Sequence, residues 1–270
     1  MEQRAFGATG LRVPVIGMGT WKTFDVRGKE VDARRHVMDA AFDLGATFFD
    51  SSPMYGDAER VLGRTLDGRR DLAIIATKVW ASDDDEAEQQ ITAALGYFDR
   101  RIDVYQVHNL LAWRKRLDQL QRLKDAGAVR VIGITHYSSS AYDDVLIAMR
   151  DPRVQAVQIP YNPGQRAVES KILPTAVDLG LGVIVMRPFG EGSLLTRRVS
   201  AAALKPLAPF GIRSWPQALL KWILSEPRCH VAIPATSSPQ HLRSNASAGA
   251  PPWLGPDERE YIAKLAGHPS

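Results

Sequence analysis

Four polar side chains, Asp50, Tyr55, Lys78 and His108, sit where apolar runs give out. Asp50 closes ATFFD, Lys78 closes LAIIATK, His108 closes IDVYQVH, and Tyr55 follows five residues after Asp50. A carboxylate, a phenol, an ammonium and an imidazole are the groups that carbonyl reduction asks for: hydride arrives at carbon while the developing oxyanion needs a proton and electrostatic support. A free phenol, with a pKa of about 10, is a reluctant acid at neutral pH. A neighbouring cation lowers that value, so Lys78 is expected to make Tyr55 unusually acidic, with Asp50 keeping the ammonium charged and oriented. His108 completes the polar end, orienting the carbonyl or relaying the proton through either ring nitrogen. Each residue alone has a plainer explanation: a solvated lysine, a capping or turn-forming aspartate, a loop tyrosine. Those explanations do not predict all four at the same end of three adjacent strands.

The elements that would hold them are legible as an alternation. A short hairpin is expected over residues 3–15, with Gly7 and Gly10 relieving its turn, as a cap and not a barrel strand. From Val15 onward strand-like runs (VIGM, ATFFD, LAIIATK, IDVYQVH, VRVIGIT, AVQIP, GVIVM and HVAI) alternate with helix-like segments near 32–44, 57–66, 85–95, 115–126, 140–149, 167–179 and 214–225. Such runs read as buried parallel strands joined by helices. Eight of them most simply close into an α/β (β/α)8 TIM barrel, with the hairpin as an N-terminal cap and the chemistry on loops at the strands' C-terminal ends. A doubly wound open sheet is the alternative, but the first turn reads GMGTW and lacks the full G-x-G-x-x-G fingerprint. No linker divides the chain, so residues 1–270 are expected to be one domain. The connection from Arg187 to Arg213, with Gly190, Gly192, Pro206 and Pro209, is too long for a simple turn and reads as a lid. The chain stops soon after a last helix near 256–265, so the pocket is expected to be open on one side.

Composition excludes several classes. At 45% hydrophobic and 24% charged, with no run of some eighteen apolar residues and no leader pattern, the chain is expected to be a soluble cytoplasmic globule with no membrane partner. The net charge of +4 comes from cations dispersed among nearly as many carboxylates, which argues against nucleic acid. Cys229 is the single cysteine and forms no internal disulfide. The histidines, His36, His108, His136, His230, His241 and His268, give no convincing metal-ligand pattern, so no metal is expected.

The stretches GMGTW (17–21), FFDSSPMYG (48–56), ATKVW (76–80), VYQVHNL (104–110), RVIGITHYS (130–138), QIPYNP (158–163) and IPATSSPQHLRSN (233–245) together resemble the aldo-keto reductases, a (β/α)8-barrel family that uses nicotinamide cofactors without a Rossmann fold. The resemblance implies Tyr55 as general acid, Lys78 and Asp50 as its tuning pair, and His108 as the residue that orients substrate. It implies NADPH as cofactor, with NADH as the alternative, a small carbonyl compound as substrate, and a monomer. Cofactor contacts would come from Thr20 and Trp21, from Thr135, His136 and Gln158 around the carboxamide, and from Met186, Arg187, Pro188, Phe189 and Gly190 after the seventh strand. Thr236, Ser237, Ser238, His241 and Asn245 would face the adenosine end.

Three departures from the family pattern matter. Thr135 and His136 stand where relatives usually have Ser-Asn. Met186 takes the place of a tyrosine that packs on the nicotinamide, a softer platform that Phe189 can supplement. Ala235 and His241 replace a Lys and an Arg that clamp the extra phosphate of NADPH, leaving Arg243, the hydroxyls of 236–238 and a helix expected to begin at Pro239 to receive it. Trp21, Trp80 and Trp113 follow strands one, three and four and are expected to line the mouth for a flat or apolar carbonyl. The rival function is a nicotinamide-nucleotide-sensing interaction protein with little turnover; the intact set of four favours an enzyme.

Overall fold

The computed structural model describes residues 1–66 and 68–267, so His268 lies outside the described residues. An antiparallel hairpin, β1 (Gln3–Ala5) and β2 (Arg12–Pro14), precedes eight parallel strands: β3 (Met18–Gly19), β4 (Phe48–Asp50), β5 (Ile74–Val79), β6 (Ile102–His108), β7 (Val129–Thr135), β8 (Ala156–Pro160), β9 (Gly182–Met186) and β10 (Val231–Ala232). They pair strictly in chain order from β3 to β10. Isolated parallel bridges between Ile16 and Ala232 and between Gly19 and Ala235 join the last strand to the first and close the ring. The expected TIM barrel and its hairpin cap are therefore both present.

Helices cover the outside: α1 (Lys29–Leu44), α2 (Ala58–Leu66), α3 (Asp84–Tyr97), α4 (Trp113–Asp125), α5 (Tyr142–Met149), α6 (Ile172–Asp178), α7 (Ala201–Leu204), α8 (Trp215–Leu224), α9 (Pro239–Ala246) and α10 (Pro256–Leu265). The first and last barrel strands are shorter than VIGM and HVAI suggested. At this closing seam backbone hydrogen bonds of 2.9 Å from Gly17 to Ala232 and from Ala232 to Val15 replace a longer ladder. Gly17 is required there, since a Cβ would stand 2.6 Å from the Phe48 carbonyl. The segment expected as one helix over 167–179 is a short turn, Ala167–Glu169, followed by α6. Residues 187–213 are ordered as two runs of 3-10 turns, Gly190–Thr196 and Lys205–Phe210, around α7, whose N-cap Ser200 accepts from Ala203 N–H.

Side chains alternate across a strand, which gives the barrel two cores. Outward-facing residues meet the helices in the larger one. The inner one takes Phe48, Ala76, Val104, Val131, Ala156, Ile184 and Val231 from successive strands and Phe6, Leu11 and Val13 from the hairpin. Phe6 is fully buried and plugs the N-terminal end, where a Cβ on Gly182 would come within 2.5 Å of its ring. Burying such a ring is worth about 1.5–3 kcal/mol. Two residues further along, the same inward alternation carries Asp50, Lys78, Gln106 and Gln158 toward the opposite end.

Candidate active site

A cavity of 470 Å³ opens at the C-terminal ends of the strands, and Asp50, Tyr55, His108 and Gln158 all line it. Lys78 lies beneath, 1% exposed. Its ammonium donates to both Asp50 oxygens at 2.8 and 2.7 Å and to the Ser51 carbonyl at 2.7 Å. Gln106 and Gln158 also point amide donors at the carboxylate, at 3.4 and 3.5 Å. Burial works against a charged lysine, yet Asp50, with Tyr55 and Glu59 adding to it, outweighs that penalty and holds Lys78 above its ordinary range. This is a buried ion pair with its remaining valences satisfied.

Tyr55 reaches the pair from the loop after β4. Ser52 caps the short turn Pro53–Tyr55 by accepting from Met54 N–H, and the turn swings the ring over the strand end. Lys78 Nζ lies 5.4 Å from the ring centroid. The sequence led us to expect an unusually acidic phenol, and the structure corrects that: burial pushes Tyr55 above the ordinary phenol value, with Lys78 only partly opposing it. The hydroxyl thus holds its proton at neutral pH, the form in which a general acid must wait.

His108, at the end of β6, stands edge-on to Tyr55 with ring centroids 6.0 Å apart and planes at 90°. Its Nδ1 is 2.8 Å from Ser52 Oγ. Burial first, then the charge of Lys78 and His136, pulls its pKa down to about 3, so the imidazole is neutral. Ser52 therefore serves twice, placing both the tyrosine turn and the imidazole.

The other sequence-derived residues divide by position. Thr20, Trp21, Met186, Arg187, Pro188 and Phe189 line the cavity, and so does Ala235. The Thr20 hydroxyl bonds to the Asp50 carbonyl and to Ser51 Oγ, bracing the strand end. Arg187 pairs with Glu191 at 2.7 Å and lies 4.9 Å from the Tyr137 ring. Gly190 lines an adjoining groove with Asn162, Ser193 and Arg197. Thr135 and His136 are not among the lining residues; His136 Nδ1 accepts from Ser138 N–H at 3.0 Å. Thr236 and Ser238 use their hydroxyls to shape the turn into α9 and to cap it, accepting from Ser238 and His241 N–H; Ser237 and the buried Asn245 also lie outside the cavity. Helix α9 does begin at Pro239.

Of the three indoles, only Trp21 lines the cavity, with Lys22 Nζ 4.2 Å over its ring. Trp80 lies beside it, 6.5 Å from the His108 ring, and Trp113 opens α4 packed against the outer core. Sequence reasoning passed over Met54, Asn109, Tyr137 and Leu195, which also line the cavity. Met54, Asn109 and Tyr137 sit one or two residues from positions already singled out, and reading every residue just past a strand end would have found Asn109. Among the described residues no cluster of His, Cys, Asp or Glu fits a metal, and no helix is long and apolar enough to cross a membrane.

A closed eight-stranded parallel barrel with this carboxylate, ammonium, phenol and imidazole at its C-terminal mouth defines a class of catalytic barrel. The chain belongs to the Aldo/keto reductase family, whose profile matches residues 15–266. It is 26% identical over 259 residues to the methylglyoxal reductase YeaE of Escherichia coli (strain K12), covering 92% of this chain and 89% of that one. In structure it is similar to an aldo/keto reductase from Klebsiella pneumoniae solved with NADP and acetate, with a TM-score of 0.83 at 22% identity over 100% of this chain and 97% of the other. A second structure from that organism, holding NADPH, matches with a TM-score of 0.82 at 23% identity, again over 100% and 97%.

Proposed function

We propose that the protein reduces aldehydes or ketones to alcohols with NADPH, Tyr55 acting as general acid. The observation that carries this reading is the buried Lys78–Asp50 pair directly beneath a protonated Tyr55 and a neutral His108, all at one cavity. The residues present fit the cofactor. Gln158 is buried with an unpartnered Oε1, an acceptor suited to a carboxamide N–H, and Arg197 and Arg187, the latter paired with Glu191, put cations in the adjoining groove for a pyrophosphate. When bound there, NADPH would supply the hydride that becomes the new C–H bond.

The chain's own groups handle the oxygen. Tyr55 transfers its hydroxyl proton to the carbonyl oxygen as charge develops on it, and Lys78, held charged by Asp50, stabilises the phenolate left behind. With Ser52 Oγ–H donating to Nδ1, His108 carries its proton on Nε2 and orients the carbonyl by donating to the same oxygen. The preference for NADPH is supported by the Klebsiella relatives solved with NADP or NADPH. Because Ala235 and His241 cannot form a two-cation clamp, Arg243 and the 236–238 hydroxyls are the groups left to recognise the extra phosphate.

The test is Tyr55→Phe. Carbonyl-dependent NADPH oxidation should fall by about 10²–10⁴, while NADPH affinity by fluorescence quenching stays within a few-fold. Activity within tenfold of the native protein would remove Tyr55 from the role.

A further inference from the structure

The proton transfer described above makes no use of Glu59, an acid that stands four residues after Tyr55 in the first turn of α2 and is 5% exposed. Its carboxyl accepts a hydrogen bond from the Thr77 hydroxyl. Among the described residues no ion pair includes it. Thr77 and Lys78 are neighbours on β5, and successive side chains of a strand point to opposite faces. Lys78 therefore looks into the barrel while Thr77 looks out toward α2. A single peptide unit links the residue that holds Glu59 to the one that serves Tyr55.

The groups that face Glu59 leave its charge finely balanced. Lys78 from β5 favours the ionised form and Asp50 from β4 opposes it. Tyr105, opposite Thr77 on β6, has a buried hydroxyl without a partner; burial first, then the charges of Glu59 and of Glu88 on α3, keep it a neutral phenol. A carboxyl taken out of water with one neutral donor and no cation in contact gains proton affinity. Burial, opposed by the Thr77 bond and by Lys78, brings Glu59 up to about 7, so both charge states are populated at neutral pH. Lys78 feels the ionised form in return.

We propose that Glu59 is a positioning residue that acts through Lys78: protonated, it leaves the field of the ammonium to the Tyr55 phenolate, and ionised, it draws off part of that field and slows the proton transfer. This inference rests on the carbonyl-reductase reading above. The charges of Lys78 and Asp50 cancel when Glu59 holds its proton, and a net negative charge remains when it does not. Forming a phenolate beside that extra charge is harder. Glu59 itself neither gives nor takes the reacting proton: hydride adds to the carbonyl carbon and the Tyr55 proton to its oxygen, as before.

The experiment follows single-turnover NADPH oxidation at saturating NADPH between pH 6 and 8.5, with the fastest of a panel of uncharged aldehydes and ketones, in the native protein, Glu59→Gln and Thr77→Val. The amide keeps the shape of the acid without its ionisation. The native rate should fall by about 3- to 20-fold as pH rises through about 7. Glu59→Gln should match the native rate at pH 6 and keep it at pH 8.5. Thr77→Val removes the donor that favours the anion, so its fall should move to higher pH. Infrared difference spectra of the unloaded protein across the same range should show a protonated-carboxyl band that the native protein loses and Glu59→Gln lacks. A loss of packing would instead lower the rate at every pH and leave the fall in place. A fall near pH 7 that survives in Glu59→Gln, a native rate flat over this range, or the absence of that band overturns the role of Glu59 alone. Native protein that reduces no member of the panel overturns this inference and the proposed function together.

Discussion

Replacing Asp50 by Asn keeps the shape of the side chain and removes the charge that balances Lys78. The ammonium is 1% exposed and the carboxylate 2%, and every short contact of Nζ is to Asp50 or to the Ser51 carbonyl. Breaking such a pair by removing one partner leaves a charge stranded in the interior, at a cost of about 3–5 kcal/mol. Unfolding entropy near the midpoint is about 2.1 cal/mol/K per residue, or roughly 570 cal/mol/K for 270 residues. A loss of about 4 kcal/mol therefore lowers Tm by about 7 °C. Thermal unfolding followed by far-UV circular dichroism at neutral pH measures it. With Asp50 gone, burial loses its strongest opponent at Lys78, and the folded pKa should drop below the unfolded value of about 10.4. The penalty should then shrink as pH rises and the amine gives up its proton. Asp50→Asn/Lys78→Met should recover most of the loss, because no unpaired charge remains. A single variant melting within about 2 °C of native, or a double variant less stable than Asp50→Asn, would refute the account of an ion pair that each partner needs.

Acid should weaken the fold through two histidines. His108 is held down to about 3, and His230 to about 4 by burial and then Arg4, both below the unfolded value of about 6.5. As pH falls below 6.5 the unfolded chain takes up protons that the folded chain refuses, so stability is full above that value and lost toward pH 4. Urea midpoints at pH 7 and 5 should differ less for the His108→Gln/His230→Gln variant than for the native protein; equal slopes would contradict this. Glu59 acts in the opposite sense. Burial raises it to about 7 against the Thr77 hydrogen bond and the charge of Lys78, so its contribution is intact below about 4.5 and lost as pH rises through 7. Glu59→Gln should be more stable than native by about 3 kcal/mol at pH 8.5 and nearly equal at pH 4, again by urea unfolding. Finally, Gly182→Ala forces a methyl against the Phe6 ring and should cost about 1–3 kcal/mol, read as a lower Tm.

Barrel and site differ in how far the sequence discloses them. The alternation of VRVIGIT, AVQIP and GVIVM with helical segments is a strong period signal, and it places Asp50, Lys78 and His108 at strand ends almost by counting. Tyr55 was placed by its loop, but its proton affinity was misjudged, because burial depends on what closes over the ring and no local pattern reports that. Trp113 shows the same limit. A residue just past a strand end can turn into the cavity or, as here, open a helix and join the outer core. The short strands at the seam escaped notice because ring closure is a property of all eight strands at once, and VIGM carries no mark of where its partner stops.

The hairpin's Phe6, wedged among the inner residues of the strands, has an effect far from where it sits. With the floor of the barrel stoppered by an aromatic ring, Lys78 and Asp50 can meet solvent only by way of the opposite end. Whatever enters that end covers the one face from which water could reach the pair, so filling the cavity also deepens the burial of its two charges.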